Sequence, residues 1–132
     1  MEKPNYGLTK ELEGVEFDAA VERTVAALKT EGFGVLTEID VKATLKKKLD
    51  VDFKKYAILG ACNPSLAHKA LTEEPFIGLV LPCNVIVFET EPGSSVVSAV
   101  DPRKMFQPVD NPSLEPVVEQ VRGKLTRVLE SI

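Results

Sequence analysis

The seven residues Tyr56–Cys62, YAILGAC, carry no charged side chain and are apolar on both alternating faces. A strand with one wetted face alternates, so this run predicts an interior strand with a neighbour on each side. Its exit is equally constrained. Asn63 offers a side-chain cap, and Pro64 takes the first helical position, where its missing N–H costs nothing. A helix follows to about Glu73, and Pro75 limits its extension.

Other elements arrange themselves around that strand. NYGLTKELE reads as a short strand. In EFDAAVERTVAALKTEGFG, Phe17, Val21, Val25 and Leu28 predict one apolar helical stripe, which Gly32 closes with a left-handed cap. FGVLTEID is the next strand. Asp40 is placed to cap the helix VKATLKKKL, whose Val41, Leu45 and Leu49 face one way. PCNVIVFETEPGSSVVSAVDP predicts a hairpin, with strands near Cys83–Thr90 and Ser94–Asp101 and its turn at Pro92-Gly93. Asn111-Pro112 repeats the cap-and-proline opening of a long helix, with Leu114, Val118, Val121, Leu125, Val128 and Ile132 inward. Gly123 weakens that helix by about 1 kcal/mol relative to alanine and is read as a site of close packing.

The expected fold is α+β in the order β-α-β-α-β-α-β-β-α, a mostly antiparallel sheet with helices packed on one face. No linker divides the chain, so residues 1–132 form a single domain. A doubly wound nucleotide fold lacks its Gly-rich loop after any strand.

With 44% hydrophobic and 27% charged residues the composition is that of a soluble protein. No apolar run approaches the ~20 residues of a membrane span. The opening MEKPNYGLTKELEG shows no secretory signal, so a cytoplasmic location and reduced thiols are expected. A net charge of −4 opposes nucleic-acid binding. The basic cluster Lys42, Lys46, Lys47, Lys48, Lys54 and Lys55 is interrupted by Asp50 and Asp52, and reads as a solvated face.

Both cysteines and the single histidine fall within residues 60–83. If the strand ending at Cys62 shares a sheet with the strand beginning at Cys83, both thiols reach one rim. The hairpin then returns Asp101 to that rim. Cys62 precedes a helix N-terminus, where N–H groups and the helix dipole favour a thiolate; Cys83 is the candidate resolving partner. The N–H groups of Ser65 and Leu66 are candidate anion donors with Asn63, and Arg103 a candidate cation.

Three readings compete. The thiols are small core residues of a non-catalytic binding or interaction module, or a redox or sulfur-handling dithiol, or soft-metal ligands assisted by His68 or Asp101. The first is the expected function and the second its main alternative. Cys62, Cys83 and His68 are weak metal candidates, because structural zinc wants four donors. No cofactor is expected. The expected ligand is a small anion or thiol. There is no CxxC pair, and no serine in a nucleophile elbow.

YAILGACNPSLAHKAL, LPCNVIVFE and VSAVDP, with EGFGVLTEID and the closing helix, resemble the domain-of-unknown-function 302 (DUF302) family. The most specific pieces are Cys62-Asn63-Pro64, Leu81-Pro82-Cys83 and Asp101-Pro102. The resemblance implies a compact α+β domain of TATA-binding-protein-like architecture that associates as a homodimer. It implies no activity, and shared architecture is no argument for DNA binding.

Overall fold

Tyr56–Cys62 (β3) lies inside the sheet, as its two apolar faces require. The computed structural model describes residues 1–132. Its other strands are Gly7–Leu12 (β1), Gly34–Asp40 (β2), Cys83–Glu91 (β4) and Ser94–Val100 (β5). They form one five-stranded sheet in the order β1-β5-β4-β3-β2, and every neighbouring pair is antiparallel. The helices are Phe17–Thr30 (α1), Val41–Leu49 (α2), Pro64–Glu73 (α3), Pro102–Met105 (α4) and Glu115–Ser131 (α5). Single 3-10 segments cover Pro75–Val80, Gln107–Val109 and Pro112–Leu114. No helix is long and apolar enough to cross a membrane.

The register assigns the two faces of the sheet. Ala57 pairs with Val87, Leu59 with Val85 and Ala61 with Cys83; Val87 in turn pairs with Val97, and Val85 with Ala99. These side chains enter the core beneath α1, α3 and α5, with Leu28, Leu66, Ala70, Val121, Leu125 and Val128. The intervening residues Tyr56, Ile58, Ile86, Phe88 and Val96 lie outside that core. There Tyr56 stacks on Phe88 with ring centroids 5.3 Å apart, and Lys54 Nζ sits 5.2 Å from the Phe88 centroid.

The predicted punctuation is present in detail. Gly32 has φ +81° and Gly93 has φ +86°, positions a side chain would strain. Asp40 accepts a hydrogen bond from the Ala43 N–H at 2.9 Å, which caps α2.

Four sequence expectations need correction. The deepest face of α1 is Ala20, Thr24, Ala27 and Leu28; Phe17, Val21 and Val25 flank it, half-buried. Small residues let the helix sit close to the sheet, and Thr24 Oγ1 donates to the Ala20 carbonyl so that its burial leaves no free hydroxyl. Helix α2 has no fully buried residue: Val41 and Leu45 are half-buried, and Leu49 is 66% exposed. Asn111-Pro112 opens a 3-10 turn, and the α-helix proper begins at Glu115. At Gly123 an added Cβ would meet only the Arg127 guanidinium at 3.7 Å, so no close packing explains that glycine.

Candidate functional site

At the end of β3 where the chain turns into α3, the core does not close. An open-mouthed cavity of about 290 Å³ remains, and 13 of its 16 lining residues are hydrophobic. Its cause is local. Where β3, α3 and α5 converge, the chain places Ala61, Ala67 and Ala70, side chains too short to fill the gap. Phe33, Leu66, Phe106, Val117 and Val121 form the deeper wall; Leu36 and Leu71 stand exposed at the mouth. Leu81 and Pro82, from the connection into β4, complete one side. Pro82 fits there because Gly60 has no side chain: a Cβ on Gly60 would come within 2.8 Å of the proline ring and 2.2 Å of Thr37 Oγ1.

Both cysteines line this cavity. The pairing Ala61–Cys83 across β3 and β4 sets the two thiols one residue out of register at the same rim. Cys62 is partly exposed, whereas Cys83 is 5% exposed. Burial pushes the Cys83 thiol from its ordinary 9.0 up to about 11, and the charge of a nearby Cys62 thiolate adds to the rise. Cys83 is therefore a neutral thiol near pH 7. That is the reverse of the activated state a thiolate nucleophile needs.

Asp101 also reaches this rim, since Val85 pairs with Ala99 and Asp101 lies two residues further on. It does not line the cavity. It is 6% exposed, and its Oδ1 accepts from the Arg103 N–H at 3.0 Å and from Arg122 Nε at 3.1 Å. It caps α4 and pairs across to α5, which is a structural use of the carboxylate. Arg103, the candidate cation, is engaged by Glu119 through Nε–Oε2 at 2.8 Å and Nη2–Oε1 at 2.5 Å. Those hydrogen bonds raise the guanidinium pKa and lower that of the Glu119 carboxyl.

At the start of α3, one of the two expected anion donors, the Leu66 N–H, already has a partner. Asn63 Oδ1 accepts from the Leu66 N–H at 3.3 Å, and Asn63 Nδ2 donates to the Glu31 carbonyl at 3.3 Å. Leu66 turns its side chain into the core, Ser65 is exposed, and only Asn63 and Leu66 of this group touch the cavity. His68 is exposed on α3 and is not part of the lining. No three His, Cys, Asp or Glu side chains converge as metal ligands, and no buried side-chain polar atom lacks a hydrogen-bond partner. The α2 lysines are partly paired: Lys46 contacts Asp50 at 2.9 Å and Asp52 at 3.6 Å.

Topology thus gathers the residues that sequence reasoning named at one end of the sheet, and divides them. Cys62, Asn63, Leu66 and Cys83 face a cavity; Asp101 and Arg103 hold the α4–α5 corner together. The alanines and Val117 and Val121 were missed as site residues. Their only sequence signal is the density of small side chains in GACNPSLAHKA, which marks a gap only once α5 is known to lie opposite.

A family model described as "Domain of unknown function DUF302" matches residues 8–132. A solved structure described as the crystal structure of uncharacterized conserved protein DUF302 from Bacillus stearothermophilus superposes with a TM-score of 0.87 at 28% identity. The match covers 97% of this chain and 98% of that one. No curated protein matches.

Proposed function

The chain belongs to the DUF302 family; as that membership brings no activity with it, we propose from the site that the protein is a non-catalytic binding module whose ligand enters the cavity between β3, α3 and α5. One observation carries the reading. About 290 Å³ opens at the surface beside Cys62 and Cys83, walled almost wholly by apolar side chains continuous with the core. A preformed apolar pocket with a few polar groups is the usual form of a small-molecule site. Thiol-dependent redox or sulfur transfer is the competing reading. Its support is that both cysteines border the cavity; against it stands the burial that keeps Cys83 protonated.

The same proposal takes the working form as a homodimer. Large apolar side chains stand exposed at and beside the cavity: Leu36 and Leu71 at its mouth, Phe76 at 76% and Leu79 at 85% on either side of lining residue Gly78. The proposal takes these side chains to form one contiguous apolar patch, the kind that marks a contact surface.

A thermal-shift screen of a fragment library against the wild type and Ala67→Phe tests the binding role. Phenylalanine at 67 occupies the cavity from α3. The proposal expects stabilising fragments whose effect disappears in the variant. A library without stabilisers, or stabilisers acting equally on both proteins, contradicts it.

A further inference from the structure

We infer that the ligand of this cavity is neutral and wholly apolar, with about ten to twelve non-hydrogen atoms. The inference rests on the binding-module reading and specifies what that module holds.

Size comes first. An apolar cavity of about 150 Å³ accommodates benzene, with its six heavy atoms. The cavity here is about 290 Å³, close to twice that, which suits two fused six-membered rings or a short hydrocarbon of equal bulk. Chemistry comes second. No Lys, Arg, His, Asp or Glu belongs to the lining. Arg103, the cation that sequence reasoning placed nearby, is committed to Glu119, and Arg122 to Asp101. An anion in the cavity would lose its water and gain no counter-charge, and a buried unpaired charge is strongly disfavoured. Burial pushes the Cys83 thiol up for the same reason, since its charged form would lose water there. Donors are scarce as well. The Leu66 N–H is taken by Asn63 Oδ1, and Asn63 Nδ2 is turned to the Glu31 carbonyl. What is left to meet a ligand is Phe33, Phe106, aliphatic side chains and the polarisable sulfur of Cys83, with Cys62 at the edge. Sulfur and aromatic rings make favourable contacts with other rings.

A matched pair of probes tests this: naphthalene, and 2-naphthoate, which adds one negative charge. Benzene and phenanthrene bracket the size. Binding is followed by the ¹³C-methyl NMR signals of Ala61, Ala70, Val117 and Val121, and by the rate of Cys62 alkylation with iodoacetamide. The inference expects naphthalene to shift those methyls and slow Cys62 alkylation at least fivefold. It expects 2-naphthoate and benzene each to bind at least tenfold more weakly, and phenanthrene, whose third ring would project through the open mouth, to bind no more tightly than naphthalene. If 2-naphthoate or benzene binds as tightly as naphthalene, or phenanthrene binds more tightly, the inferred charge or size of the ligand is wrong while the cavity remains a binding site. If no probe moves the methyls or protects Cys62, the inference and the binding-module reading fail together.

Discussion

Cys83 loses contact with water when the chain folds, and that has a consequence at alkaline pH. In the unfolded chain its thiol titrates near its ordinary 9.0; in the folded protein it titrates near about 11. Between those values the unfolded state has released its proton and the folded state has not, so the unfolded state binds fewer protons and stability falls as pH rises. The contribution is whole below about pH 9 and lost above about pH 11. Two pH units correspond to about 2–3 kcal/mol. Urea denaturation at intervals from about pH 8 to 11 should therefore show the wild type losing about 2–3 kcal/mol more than Cys83→Ala. Parallel curves would mean that the thiol is wetter than its surroundings imply. The sequence placed Cys62, Cys83 and Asp101 at one rim because strand direction alone decides that. It did not show which of them faces the cavity, because that depends on Arg122, twenty-one residues from Asp101, arriving from α5 to claim the carboxylate.

At the level of elements, two glycines separate necessity from weakness. Gly60 in β3 makes room for Pro82 and Thr37, and a Cβ there meets the proline ring at 2.8 Å. Gly123 in α5 has nothing but the end of Arg127 within reach, at 3.7 Å. Chemical denaturation should find Gly60→Ala destabilised by about 1–3 kcal/mol through overpacking. The same measurement should find Gly123→Ala stabilised by about 0.5–1 kcal/mol through helix propensity. Opposite signs in one assay are the expected outcome, and a loss of stability at Gly123 would require a packing partner that the fold does not show. Element order and caps were legible in the chain because they are local: Asn63, Asp40, Gly32 and Gly93 act on their own neighbours. The buried face of α1 was legible only at Leu28. Counting large apolar residues selected Phe17, Val21 and Val25, whereas the sheet takes Ala20, Thr24 and Ala27, whose small size permits the close approach.

For the molecule as a whole, the sheet, α1, α3 and α5 close a core that leaves an apolar opening at one corner, where alanines meet and Cys83 is buried beside partly exposed Cys62. The fold explains why a cavity lies there: β3 ends, α3 begins on its Asn-Pro cap, and α5 crosses opposite with Val117 and Val121. The functional proposal depends on that space being open and dry in the folded protein. Xenon enters apolar cavities and leaves water-filled or collapsed ones empty. Diffraction from crystals under xenon pressure is thus the most direct measurement. The account predicts a xenon peak among Ala70, Cys83, Phe106 and Val121; a corner packed shut by Leu71 or Phe106, or holding ordered water instead, would contradict it.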